Sequence, residues 1–401
     1  MIEIDAVLAG GPADFTEARR LVLSGTHQDM GQHLATLGAA HYGSRPAPAP
    51  DAALVRARRA WFEEHWPAQA ERMRGAAIAF GVDYEDDSVD LGAVPYLMSL
   101  GGCSVAWHPP GRTIDGHGRL SRNYDFSTGT LAQFVAGLFA TANGAAATPI
   151  PASTPEQLAM TARPHVIECY PDTGHATLLV RAYDLLGGCL DGVNSAGLTV
   201  ALLADLDASG APPSWGVRVG LNELELGHFL LETCATVEEA LEALASIEHY
   251  AASLGCHYIL GDRGGASAVW EPFAPGRAAV VAGAEAPLVV TNHQLTRFPS
   301  VAELPDTAGE GDTYRRMRVL TELTSEGSLT PAQIAAAAAA VRFPAAPDSM
   351  IRTLWNAQYD VEALTLDIDF YLHDQGDAPR YSPRLRLALD PAPIAAGRAA
   401  A

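Results

Sequence analysis

The residues of this chain best suited to chemistry are Gly101-Gly102-Cys103-Ser104, followed downstream by Arg122-Asn123-Tyr124-Asp125. A cysteine supplies a thiolate nucleophile. The two glycines before it leave the backbone free to strain, so that the thiol can reach the preceding carbonyl. If the Gly102–Cys103 bond breaks, Cys103 becomes a new N-terminus. Its freed α-amine, with an unperturbed pKa of about 7.7–8.0, is then a base suited to proton transfer near neutral pH. The pattern points to a thiol nucleophile made by self-cleavage.

Arg122 and Asp125 lie on the next strand pattern at an odd separation, which places them on opposite faces unless a bulge intervenes. Asp125 facing the thiol would anchor the amine of Cys103, and Arg122 nearby would favour the thiolate. Without such a site the two form an ordinary ion pair. Asn292 ends the apolar run Val289-Val290-Thr291; it is either a turn cap or an amide donor to an oxyanion. His293 beside it offers a Cys–His dyad as a rival, although its context is unlike that of papain-type proteases. Asp191-Gly192-Val193-Asn194-Ser195-Ala196-Gly197 reads as a tight turn entering a strand. Gly261-Asp262-Arg263-Gly264-Gly265 reads as a hairpin.

Composition removes several alternatives. All 26 cations among the 401 residues are arginine, so a P-loop lysine, a pyridoxal Schiff base and a Ser–Lys pair are excluded. A formal net charge of −21 without a basic stripe argues against nucleic acid as a partner. The five cysteines are odd in number and form no CxxC pair, which indicates neither a disulfide framework nor a zinc site. Acidic residues in Met1–Leu8 and the lack of a long apolar window predict a cytoplasmic protein with no membrane contact.

The elements around these residues begin with a first third read as mostly helical, from helical spacing over Asp14–Leu23 and Asp51–Gly81. Strands follow: Cys103–Trp107 and Leu120–Phe126 as a hairpin, then Thr177–Tyr183, Leu198–Leu203, His257–Leu260, Ala266–Trp270 and Leu288–Thr291. Helices are predicted over Val219–Thr233, Val237–Ser246, Asp312–Leu323 and Ala332–Val341. Thr353–Gln358 and Ala363–Phe370 complete the strands, and Pro391–Ala401 is read as a frayed tail. This order favours a layered α+β fold.

Taken in order, a set of short motifs resembles the N-terminal nucleophile hydrolases of peptidase family C45, in particular the acyl-coenzyme A:6-aminopenicillanic acid acyltransferase group. More distantly it resembles the bile salt hydrolases. The motifs are Gly25-Thr26 to Gly31, His65-Trp66-Pro67 to Gly75, Gly102-Cys103, Asn123-Tyr124-Asp125-Phe126, Asn194-Ser195-Ala196-Gly197 and Thr291-Asn292-His293. The resemblance implies a four-layer αββα sandwich. It also implies cleavage into a helical prosegment, residues 1–102, and a catalytic chain, residues 103–401, which remain one globular unit. Cys103 would be the nucleophile, Asp125 the partner of its amine and Asn292 an oxyanion donor, while Arg122 matches the bile salt hydrolase arginine. Ala204 stands where those enzymes carry a second active-site asparagine, so a backbone amide would serve there. The substrate-side arginine of the penicillin enzyme falls near Met350 or Arg352, and no role falls to Arg315 or Arg316. The implied substrate is a small linear amide or acyl thioester, with acyl-coenzyme A as an eligible donor and no metal or redox cofactor. Two rivals remain: an uncleaved binding protein of the same fold, and a Cys–His hydrolase using His293.

Overall fold

The computed structural model describes residues 2–49, 51–92, 102–130, 161–182, 184–207, 217–252, 254–274, 277–345 and 349–390. Gly101 and the tail from Pro391 lie outside them. The strands are β1 (Ile2–Gly10), β2 (Glu17–Gly25), β3 (Ala47–Pro48), β4 (Val89–Asp90), β5 (Gly102–His108), β6 (Arg119–Ser127), β7 (His165–Pro171), β8 (Thr177–Arg181) and β9 (Asp191–Asn194). They continue as β10 (Thr199–Ala204), β11 (Cys256–Gly261), β12 (Ser267–Ala274), β13 (Arg277–Ala282), β14 (Leu288–Val290), β15 (Ile351–Asp360), β16 (Thr365–Gln375), β17 (Ala378–Tyr381) and β18 (Leu385–Ala388). The helices are α1 (His27–Tyr42), α2 (Ala52–His65), α3 (Pro67–Phe80), α4 (Glu225–Thr233), α5 (Val237–Ser246), α6 (Thr313–Thr324) and α7 (Pro331–Ala339).

Two sheets pack face to face. One has nine strands in the order β1-β2-β7-β8-β9-β10-β11-β12-β13, and the other follows β14-β5-β6-β15-β16-β17 with β18 beside β16. β10 and β11 lie against β5, while α4 and α5 cover the outer face of the first sheet and α6 and α7 that of the second. The four-layer α+β arrangement is therefore present. Close approach of the sheets has a visible cost: a Cβ at Gly261 would sit 2.4 Å from the Trp107 ring, so only glycine fits there. The described helices include none long and apolar enough to cross a membrane.

The segment Asp14–Leu23, read as helical, is instead largely strand β2. Leu21, Val22 and Leu23 are all buried, because β2 is sandwiched between β1 and the parallel strand β7 with both faces covered. Arg19 and Arg20 lead away from the core to ion-pair with Asp5 and Glu168. The predicted helix Val219–Thr233 begins only at Glu225, just after a turn in which the Asn222 side chain accepts from the amides of Leu224 and Glu225. Helices α2 and α3 fall within Asp51–Gly81, separated at Trp66-Pro67.

The first ninety residues are built into the molecule rather than appended to it. β1 and β2 edge the nine-stranded sheet, and α3 carries Arg72 to Glu232 of α4 in a two-point contact at 2.6 and 3.0 Å. Trp66 Nε1 donates to the same carboxylate at 2.5 Å, and all three side chains are buried. Burial disfavours the Glu232 charge, but Arg72 outweighs it and holds the carboxyl well below its ordinary 4.5. A depressed folded-state value means the pair's stabilisation is complete above 4.5 and is lost as pH falls. Glu232→Gln should leave Arg72 buried without its counter-charge and cost about 3–5 kcal/mol in urea unfolding at neutral pH, with a smaller penalty in acid. An unchanged urea midpoint would remove this clamp from the account.

Candidate active site

Strand β5 is buried along its whole length, and it pairs with β6 so that Gly102 opposes Asp125, Cys103 opposes Tyr124 and Val105 opposes Arg122. Strand alternation then sorts the side chains. Cys103, Arg122 and Tyr124 face the space between the sheets, while Ser104, Asn123 and Asp125 face the α6–α7 layer. Arg122 Nη2 donates to the Cys103 Sγ at 3.6 Å. Burial holds the thiol above its ordinary value, and Arg122 offsets only part of that rise. All five cysteines are free and buried.

Asn292 lies just beyond β14, where its backbone N–H donates to the Thr313 hydroxyl at 2.8 Å. Its side chain is fully buried and bonded at both ends. Oδ1 accepts from the Cys103 backbone N–H and from Arg316 Nη2, each at 2.7 Å, and Nδ2 donates to the Ala204 carbonyl at 2.8 Å. Those three partners fix the orientation of the amide. The Cys103 nitrogen is thus held by Asn292, whereas Asp125 sits on the opposite face of β6 from the thiol. The Asn292 N–H2 group, expected to face an oxyanion, directs one bond to the Ala204 carbonyl.

Arg316, to which the motifs assign no role, also reaches this junction. It has no exposed surface and donates to the Cys103 carbonyl, to Ser104 Oγ at 2.7 Å and to the Gly311 carbonyl at 2.8 Å, with Asp125 Oδ2 at 3.7 Å. The turn before α6 makes this possible. Gly311 and Asp312 both adopt left-handed backbone, with φ of 57° and 60°, turning the Gly311 carbonyl towards the helix. A signal for Arg316 did exist. Thr313, Arg316, Met317, Leu320 and Thr324 form the buried stripe of α6, so Arg316 is a cation on an apolar face.

His293 does not meet the thiol by hydrogen bond. Its Nδ1 lies 3.1 Å from the hydroxyls of both Thr291 and Thr313, and burial and His257 lower its pKa to about 4. Arg352 pairs with Asp374 at 2.7 Å, and the Met350 carbonyl accepts from the Thr128 hydroxyl at 3.0 Å. Asp115, His117 and Asp360 converge as a possible cation site, but Arg119 bonds to both carboxylates at 2.6 Å.

Cys103 is the second residue of an internal strand in this face-packed α+β sandwich, and a family model places the chain. Residues 154–374, more than half of the chain, match the acyl-coenzyme A:6-aminopenicillanic acid acyl-transferase family. The chain belongs to this family. No curated protein matches it. Among solved structures it is similar to penicillin V acylase from Agrobacterium tumefaciens, at 19% identity and a TM-score of 0.39, over 72% of this chain and 79% of that one. A mutant of conjugated bile acid hydrolase from Clostridium perfringens is similar at 14% identity and a TM-score of 0.45, over 72% of this chain and 98% of that one.

Asp125 offers a test of this electrostatic arrangement. Burial pushes its carboxyl from the ordinary 3.8 up to about 6, against the pull of Arg316 and the hydrogen bond from Thr353. A raised folded-state value means that ionising Asp125 costs stability as pH rises from 3.8 through about 6. Urea unfolding should therefore show Asp125→Asn gaining on the wild type over that interval, with the difference level above it. A difference independent of pH would place Asp125 in a better solvated setting.

Proposed function

We propose that the protein is a self-processing cysteine amidohydrolase or acyltransferase acting on small linear amides or acyl thioesters through an acyl-enzyme on Cys103. The observation that carries this is the hold on the Gly102–Cys103 junction. The nitrogen is bonded to Asn292, the Cys103 carbonyl to Arg316 and the thiol to Arg122, in a chain of an acyltransferase family. Gly102 is close-fitted too: a Cβ there would lie 3.0 Å from Phe343 and 3.1 Å from Arg316.

In processing, the Cys103 sulfur adds to the Gly102 carbonyl carbon, and its proton passes to the departing nitrogen. The C–N bond breaks to leave a thioester, and water hydrolyses this to a Gly102 carboxylate and the free thiol. Residues 1–102 and 103–401 then persist as two associated chains. The bond to Asn292 that fixed the scissile nitrogen now fixes the α-amine, which takes the thiol proton during turnover. The thiolate attacks the substrate carbonyl, and backbone N–H groups together with the second N–H of Asn292 supply the oxyanion donors. Water or an acceptor amine resolves the acyl-enzyme. Acyl-coenzyme A is an eligible donor, and the sequence of steps needs no metal or redox cofactor. A Cys–His dyad is disfavoured because the His293 Nδ1 faces the hydroxyls of Thr291 and Thr313 and the hydrogen bond to the Cys103 sulfur comes from Arg122.

Intact-mass measurement tests the processing step. Wild-type protein should resolve under denaturing conditions into residues 1–102 and 103–401, and Cys103→Ala should stay at full length. An active wild type that remains a single uncut chain would show self-processing to be wrong.

A further inference from the structure

Asp191, which the sequence presents as part of a turn, is the first residue of β9 and lies on the inner face of the nine-stranded sheet, opposite β6. Neither Asp191 nor Arg122 has exposed surface, and they form an ion pair across the gap between the sheets at 2.9 Å. Two further donors reach the same carboxylate from β15: Tyr359 Oη–H at 2.6 Å and Trp355 Nε1–H at 3.4 Å. A group that accepts three donors and offers none is a carboxylate held in one orientation.

We propose that Asp191 is a positioning residue for the Cys103 thiol, holding the Arg122 guanidinium so that its second nitrogen meets the sulfur. The proposal rests on the reading of Cys103 as nucleophile. Arg122 has a forked head, and the geometry uses both prongs. Nη1 is taken by Asp191 and the Leu190 carbonyl, the guanidinium carbon lies 5.0 Å from the centre of the Tyr124 ring, and Nη2 is left directed at Sγ, 3.6 Å away. Without the carboxylate, the prong nearest β9 keeps a single carbonyl, and the aim of the other prong relaxes. The remaining groups around the sulfur are Arg316 from α6, Asp125 on β6 and Cys256 on β11; Cys189 lies near Asp191. None of these is changed in the test below.

Positioning and simple charge screening predict opposite signs. If Asp191 only screened Arg122, its removal would expose the sulfur to more positive charge and lower the thiol pKa. If it positions Arg122, removal by Asp191→Ala lets the guanidinium leave the sulfur, and the thiol pKa rises as it should in Arg122→Ala. Asp191→Asn keeps an oxygen for Arg122 while losing the charge, so it should restore the aim and bring the thiol pKa back down.

The experiment is iodoacetamide labelling of the protein as expressed, followed across pH by mass measurement of the Cys103 peptide. The expected result is a labelling midpoint raised by about one pH unit in Asp191→Ala and at or below wild type in Asp191→Asn. Should the alanine variant not fold, Asp191→Ser is the substitute: its hydroxyl is too short to reach Arg122 but admits water, and it should show the same rise. A midpoint in Asp191→Ala or Asp191→Ser that falls or stays at wild type overturns the proposal. Turnover that survives Cys103→Ala would instead overturn the nucleophile reading, so the two failures are told apart.

Discussion

The fully buried carboxamide of Asn292 is the contact on which the arrangement around Cys103 depends. It is tied at one end to the nine-stranded sheet through the Ala204 carbonyl, and at the other to the start of β5 and to α6. Three layers of the sandwich therefore meet at one side chain. A buried amide of this kind must have all its partners or carry a large desolvation cost, so the relative placement of these elements is tightly specified. That specification fixes where the Cys103 nitrogen sits, and the chemistry proposed here follows from that nitrogen.

Charge is used in the same manner on either side of this hub. Arg122 pairs with Asp191 between the sheets, and Arg72 pairs with Glu232 between the N-terminal helices and α4. Each brings together residues distant in sequence, and each would leave an uncompensated buried charge if one partner were lost. The second pair gives residues 2–92 a role beyond that of a leader, because their strands and helices complete a layer of the sandwich. Under the processing proposed above, the two resulting chains stay associated under native conditions.

Much of the frame around Cys103 was legible in the sequence because it is local. The hairpin of β5 and β6 follows from two short strand candidates around the turn at Pro109-Pro110-Gly111, and the odd separation of Arg122 and Asp125 does put them on opposite faces. Helix α5 matches its predicted bounds of Val237–Ser246, its start marked by Thr236 capping Glu239. Strand β2 was misread because its apolar residues also fit a helical period, and only its non-local pairing with β1 and β7 decides the matter. The role of Asp191 was hidden for the same reason. A carboxylate at the head of a short strand looks like a turn residue until the facing sheet supplies Arg122, Tyr359 and Trp355. Arg316 could have been found from its position on the apolar stripe of α6, yet its target, the Cys103 carbonyl, is set by packing alone.

The central claim is that a chain beginning at Cys103 carries the acyl group. It is tested most directly by mixing the purified enzyme with an acyl-coenzyme A or an activated aryl ester, quenching in acid and mapping the adduct by mass spectrometry. The account predicts an acyl mass on a peptide whose first residue is Cys103, and none in Cys103→Ala. An adduct on another residue, or turnover that persists in Cys103→Ala, would contradict it.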